Sequence, residues 1–98
     1  MAVDLYELAD AVENEEGFLQ FVAALASDWE EERQLEVEKP SSPYGSGALG
    51  WENGSIGAFL ESAHAWAEAS AKGTQFYKVP TNPWCRAAQI LLAGKFFE

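Results

Sequence analysis

Several residue types on which protein chemistry depends are nearly absent from this sequence. Its 98 residues include one cysteine, Cys85, and one histidine, His64. A single cysteine excludes an intramolecular disulfide, which agrees with a reducing compartment, and we expect a cytoplasmic protein. One histidine and one cysteine cannot supply the three or four ligands of a typical zinc site. We therefore expect neither a metal nor another cofactor.

Long apolar runs are also missing. The longest uncharged apolar stretch, residues 18–27, is interrupted by Gln20 and is far shorter than the roughly 20 residues that cross a bilayer. The first residues lack the basic and apolar regions of a secretory signal. The sequence thus predicts no membrane crossing and no secretion signal. Because no repeat or linker is visible, we expect one domain covering residues 1–98.

Basic residues are scarce in the first third of the chain. Residues 1–38 contain twelve acids and one base, Arg33, a net charge of −11, whereas residues 39–98 have a net charge of +1. Such a charge distribution repels nucleic acids and anionic lipids and attracts basic proteins over a distance. A basic protein partner is one interpretation. The other is that the acidity serves only solubility.

The spacing of apolar residues predicts an all-α fold of about four helices, packed as a small single-domain bundle. Asp4 is placed to cap a short first helix at about 4–12, and Glu7 follows it at the spacing of a capping box. The second helix, at about 15–35, has the clearest pattern. Its apolar stripe consists of Phe18, Phe21, Val22, Leu25 and Trp29.

Two further helices are predicted in the second half of the chain. Asn53 or Ser55 caps the third, which ends at Gly73. The Asn-Pro pair at 82–83 is typical of a helix start, and Gly94 is expected to end this fourth helix. The tryptophans at 29, 66 and 84 lie on the inward stripes and are expected in the core.

A long loop rich in proline and glycine separates the two halves, at about 38–50. Loops of this length tend to be functional or mobile. Residues 45–50 match G-x-G-x-x-G, but no strand precedes them, so nucleotide binding is not indicated. Residues 75–79 could form a short extended piece, although no second strand is visible to pair with it.

Several short motifs resemble a family of short bacterial proteins of unknown function. They are Trp51-Glu52-Asn53, Ile56-x-x-Phe59-Leu60-Glu61, Ala65-Trp66, Asn82-Pro83-Trp84 and the segment from Ala93 to Glu98. The resemblance covers about the last half of the chain, with weaker agreement around residues 18–29. It implies a small bacterial domain and gives no catalytic residue to transfer.

The sets of side chains that known catalytic sites require are incomplete in this sequence. Glu61 and His64 have the E-x-x-H spacing of a di-iron ligand set, but a second such motif is missing. Cys85 is expected at the third position of the fourth helix, where a buried, unreactive thiol is the usual outcome. No third group is indicated to orient a nucleophile and base. We therefore expect no catalytic residues and no enzyme activity.

We expect the partner-binding residues to lie in the acidic run of the second helix and in the loop. Glu30, Glu31 and Glu32 are consecutive acids, and Tyr44 and Trp51 are aromatic residues at the loop. Trp51 either forms an exposed contact with Tyr44 or fixes the loop onto the core.

The leading hypothesis is a small acidic protein-binding module of bacterial origin for a basic partner, of which an inhibitor or immunity-type protein is an example. One alternative is a small enzyme or ligand-binding domain that uses the loop from Gly45 to Trp51 with Glu61 and His64. The other is a domain whose acidity serves only solubility.

Overall fold

The computed structural model describes residues 4–42 and 45–97. Within these residues the chain forms four α-helices and no strand, which confirms the predicted all-α fold. The helices are α1 (Leu5–Asp10), α2 (Glu15–Glu38), α3 (Ile56–Ser70) and α4 (Pro83–Phe96). Residues 75–79, the possible extended piece, lie in the loop between α3 and α4. None of the described helices is long and apolar enough to cross a membrane.

The helices begin where side chains can accept hydrogen bonds from free backbone N–H groups. Asp4 accepts from the N–H groups of Tyr6 and Glu7 at 3.0 and 3.2 Å, as predicted. Ser55, rather than Asn53, caps α3, because its hydroxyl accepts from the third N–H of the helix at 3.1 Å. Asn82 caps α4, with proline at the first helical position. Local chemistry therefore decides all of these starts.

The helix ends differ more from the prediction. Helix α2 continues to Glu38, and α3 ends at Ser70, three residues before Gly73. Helix α4 does not end at Gly94 but continues to Phe96. A Cβ at Gly94 would lie 2.8 Å from the ring of Phe59, so glycine is required there for close packing between α4 and α3.

Helix α4 is the centre of the molecule. Helices α1, α2 and α3 all pack against it, and α1 also packs against α2, whereas α2 and α3 do not contact each other. The core cluster has as its buried members Leu5, Ala9, Val12, Phe21, Leu25, Trp51, Ala88 and Leu92. The tryptophans at 29 and 84 are half-buried against this cluster, and the one at 66 is half-buried against Tyr77. This arrangement leaves the C-terminal part of α2 to be covered by the loop that follows it.

Candidate functional site

Three acidic side chains of α2 face the loop that follows this helix. Asp28, Glu32 and Glu36 are spaced four residues apart and therefore lie on one face of the helix. The loop, residues 39–51, contains backbone N–H groups that no helix or strand engages. The three carboxylates accept hydrogen bonds from this loop, and we call them the carboxylate row.

Glu32 is the most buried member of the carboxylate row. Its side chain has no solvent exposure, and Oε1 accepts from the backbone N–H groups of Leu49 and Trp51 at 2.9 and 3.2 Å. Its Oε2 accepts from the guanidinium of Arg33 at 2.6 Å. A Cβ at Gly47 would lie 2.3 Å from the Glu32 carboxyl carbon, so only glycine allows the loop to come this close.

The burial of Glu32 corrects the expectation that it contributes to a partner-binding surface. The sequence placed it with Glu30 and Glu31 because the three are consecutive. Consecutive residues point about 100° apart around a helix, however, so one of three can face inward. Glu30 and Glu31 are exposed, and only Glu32 is covered by the loop.

Glu36 holds the beginning and the middle of the loop. It accepts from the N–H and the hydroxyl of Ser41, each at 2.7 Å, and from the N–H of Ala48 at 2.9 Å. The hydrogen bond from the Ser41 hydroxyl, followed by the one from its N–H, lowers the pKa of Glu36 below its ordinary value. The ionised carboxylate is therefore the form that the loop binds.

Asp28 connects the end of the loop to α4. It accepts from the indole Nε1 of Trp51 at 2.9 Å and from the ammonium of Lys95 at 2.7 Å. The ammonium also lies 5.6 Å from the ring centroid of Trp51. The Asp28–Lys95 pair is largely shielded, since the two side chains are only 19% and 13% exposed.

Trp51 is buried, which decides between the two roles considered for it. Its side chain is 8% exposed and packs edge-on against Trp29, at a centroid separation of 5.0 Å. On its other side it stacks on Phe59 at 6.1 Å. Trp51 thus fixes the loop onto the core and offers no exposed aromatic contact. Tyr44, its predicted companion, lies outside the described residues.

The partly buried side-chain amide of Asn53 continues this connection beyond Trp51. The side-chain N–H groups of Asn53 donate to the backbone carbonyls of Gly94 and Phe97 at 2.9 and 3.1 Å. These carbonyls are among those that the end of α4 leaves without helical partners. The loop therefore terminates α4 as well as covering α2.

The remaining acids of the first third are exposed. They form no ion pair within the described residues, and they are Asp4, Glu7, Asp10, Glu13, Glu15, Glu16, Glu30, Glu31 and Glu38. Arg33, the single base among residues 1–38, pairs with Glu32 and lies 4.2 Å from the ring centroid of Trp29. The negative charge on this side is thus uncompensated.

The residues considered for an enzymatic or ligand-binding site are not brought together. His64 pairs with Glu68 at 3.0 Å, and both side chains are more than 70% exposed. Among the described residues no hydrogen bond connects His64 or Glu61 with the loop. Cys85 is buried, and burial, with a smaller effect of the Asp10 charge, raises the pKa of its thiol. In the described part of the chain no three His, Cys, Asp or Glu side chains are grouped to hold a metal ion.

Two surface cavities flank α3. One, of about 170 Å³, has an almost wholly apolar lining that includes Trp29, Trp51, Ile56 and Phe59. The other, of about 420 Å³, lies between α1, α3 and α4. Its aromatic lining consists of Tyr6, Trp66, Phe76, Tyr77 and Phe96.

A polar network forms one wall of the larger cavity. The guanidinium of Arg86 donates to the Tyr77 hydroxyl at 3.1 Å, and this hydroxyl donates to Gln89. The Gln89 amide in turn donates to Asp10 at 3.0 Å. Arg86 also donates to the carbonyl of Ala67 at 2.8 Å, so its charge is held near this wall without a carboxylate partner among the described residues.

The fold and the site define an all-α protein whose longest helix binds its own glycine-rich loop through a row of carboxylates. The chain belongs to the family of unknown function DUF7660, which it matches over residues 14–98. The match extends over α2, the acidic run and the loop, and thus over more of the chain than the motifs of its second half. No curated protein and no solved structure matches the chain.

Sequence reasoning missed Asp28, Glu36 and Lys95. A signal for the two acids was present, since Asp28, Glu32 and Glu36 repeat every fourth residue just before a glycine-rich segment. Such a segment has many N–H groups that need acceptors. No comparable signal existed for Lys95, whose partner is 67 residues away in the sequence.

Proposed function

We propose that this chain is an acidic protein-binding module of bacterial origin that captures a basic protein in the cytoplasm, as an inhibitor or immunity-type protein does. The observation that carries the proposal is the set of exposed acids without a counter-ion on α1 and α2. Residues 1–98 act in it as one domain. The exposed acids Glu30 and Glu31 belong to the proposed surface, and Glu32 does not because it is buried.

The exposed carboxylates near the end of α2 contribute nothing evident to the fold, whereas Glu7, Glu15 and Glu16 lie in first turns, where the helix dipole favours an acid. Glu30 and Glu31 make no hydrogen bond or ion pair within the described residues. Glu38 lies in the last turn of α2, which contains no basic residue, and there a negative charge opposes the helix dipole. Neighbouring like charges also repel one another. A basic protein would relieve this repulsion, and the electrostatic field of the exposed acids would accelerate its association.

A ligand site in the loop has less support. The backbone N–H groups that would bind an anion there, those of Ala48, Leu49 and Trp51, donate to Glu32 and Glu36. They are therefore occupied by the protein's own carboxylates. The remaining alternative, acidity for solubility alone, differs from the proposal in one measurable respect: it predicts no specific basic partner.

Capture from the source organism, followed by kinetics, tests the proposal. Proteins retained by the immobilised chain are identified by mass spectrometry, and association rate constants are measured for the purified partner. We expect the Glu30→Gln/Glu31→Gln variant to associate about threefold or more slowly at low salt, with the difference disappearing at high salt. The control variant Glu61→Gln/Glu68→Gln removes two exposed acids of α3 and should associate nearly as fast as the wild type.

The results separate the hypotheses. A retained partner without excess basic charge, or association rates that respond equally to both double variants, would contradict an acidic binding surface on α2. Absence of any specific partner would favour acidity for solubility. Loss of folding is not expected in either variant, because all four side chains are exposed.

A further inference from the structure

We infer that the groove between α2 and α3 is the docking site for a basic amphipathic helix of the partner protein. This inference rests on the proposed function and adds to it the shape and chemistry of the partner. Both helices pack against α4, whereas their backbones do not approach each other closely. At one end Trp51 lies between Trp29 of α2 and Phe59 of α3.

The floor of the groove is a strip of α4. Lys95 faces α2, through its pair with Asp28, and Gly94 faces α3, through its contact with Phe59. Ala87 and Leu91 lie at intermediate angles around α4, since successive residues turn by about 100°. Both are partly exposed. The floor is therefore apolar and contains a small residue, which allows close approach.

The rims of the groove are apolar as well. On α2, Val22, Ala26 and Trp29 are spaced three or four apart, and Val22 and Trp29, which are partly exposed, lie beside the buried face. On α3, Ile56 and Leu60 are one turn apart and are 80% and 57% exposed. Two large exposed apolar side chains, Ile56 and Leu60, thus border one groove, which is the pattern of a surface that binds another protein.

One end of the groove contains a pocket for a single apolar side chain. This is the cavity of about 170 Å³ between Trp29, Trp51, Ile56 and Phe59. A cavity of ~150 Å³ in a protein core is large enough to bind benzene. An aromatic or large aliphatic residue of a partner helix fits this volume, and residues one turn further along the helix would contact Leu60.

The charges beside the groove select a basic occupant. Glu15 lies on the same side of α2 as Val22, and Glu30 lies one turn from Ala26, and both acids are exposed. Glu52, next to the pocket, is exposed too. The cation at this rim, Arg33, is already paired with Glu32 and stacked on the Trp29 ring. By contrast, the aromatic cavity beside α1 has both Lys78 and Asp10 in its lining and Arg86 nearby, so its charges do not favour a cationic helix.

A designed peptide tests the groove independently of the native partner. The probe is a synthetic peptide of leucine and lysine in a helical amphipathic order. A scrambled peptide has the same charge but no apolar face, and a leucine–glutamate peptide reverses the charge. Binding is followed by amide NMR shifts. We expect the ordered basic peptide to shift residues of α2, α3 and α4 that line the groove, and the other two peptides to bind at least about tenfold more weakly.

Two matched variants localise the site. Ile56→Ser/Leu60→Ser removes the α3 rim and should weaken binding of the probe by about tenfold or more. Val37→Ser/Phe76→Ser changes two side chains that are 83% and 91% exposed outside the groove, and it should leave binding unchanged. Circular dichroism verifies that both variants are folded.

The outcomes distinguish the groove from the acidic surface. Three results would refute the groove as the binding site. They are an equal loss of peptide affinity in both variants, binding of the scrambled peptide as tight as that of the ordered one, and NMR shifts confined to the cavity around Phe76. If these occur while the native partner still depends on Glu30 and Glu31, only the groove is refuted and the proposed function stands. If the probe binds the groove but the source organism provides no basic partner, the proposed function fails instead.

Discussion

The two halves of helix α2 are attached to the rest of the molecule by different interactions. In the first half, Phe21 and Leu25 are buried in the core, with 0% and 6% exposure. In the second half, Asp28, Glu32 and Glu36 bind the loop through hydrogen bonds, beside the apolar contact between Trp29 and Trp51. Apolar burial is insensitive to pH, whereas carboxylates must be ionised to act only as acceptors. The first half of α2 is therefore held by apolar burial, whereas the second half is held by hydrogen bonds to its carboxylates as well as by the packing of Trp51.

The largest expected effect concerns the apolar half. Phe21→Ala should lower the free energy of unfolding by about 3–5 kcal/mol, because it leaves a cavity at a position with no exposure. Urea denaturation measures the change. Leu19→Ala, on the exposed side of the same helix, is the control and should cost less than about 1 kcal/mol. Similar losses for the two variants would show that the first half of α2 is not anchored through Phe21.

A smaller effect is expected in the carboxylate half. Glu32→Ala should lower the free energy of unfolding by about 1–3 kcal/mol, since it leaves the N–H groups of Leu49 and Trp51 without an acceptor. Hydrogen exchange should accelerate at these two amides more than in the core. Glu31→Ala, at an exposed neighbour, should change stability by less than about 0.5 kcal/mol. Amides in the loop that remain as protected as in the wild type would contradict the role assigned to Glu32.

The smallest expected effect is a pH dependence restricted to the loop. The pKa of Glu36 is lowered in the folded chain, so this group stabilises the fold above the ordinary glutamate pKa of about 4.3. The contribution is lost as the pH falls through the lowered pKa. The amide NMR signals of Ser41 and Ala48 should report this protonation, with a midpoint below the ordinary value.

The Glu36→Gln variant is the control for this titration. It should remove the pH response of the two loop amides and leave the signals around Phe21 unchanged. A midpoint at or above about 4.3 in the wild type would mean that the loop does not prefer the ionised carboxylate.

The helix starts were predictable because caps and apolar stripes are local. Asp4, Ser55 and Asn82 each accept N–H groups two or three residues away. The ends were less predictable, since they depend on neighbours in space. Gly94 has the sequence signature of a helix end, yet it lies inside α4 because Phe59 packs on it.

The candidate site was predictable only in part. The sequence identified Glu30, Glu31 and Glu32 by their charge and Trp51 by its place after the loop. It could not show that Glu32 and Trp51 are buried together, because the hydrogen bond between them spans 19 residues. Whether an acid of α2 faces solvent or a loop depends on which side of the helix the following loop covers. The pattern of acids in the sequence does not show this.

The all-α class, the number of helices and the excess of acid in the first third can be read from the amino-acid sequence. They depend only on local spacing and composition. The tertiary structure alone decided how the acids divide between internal and exposed roles. The reason is the path of residues 39–42 and 45–51, which bring N–H groups, an indole and Gly47 to one face of α2. The carboxylates on that face became structural, and those on the opposite face remained available to a partner.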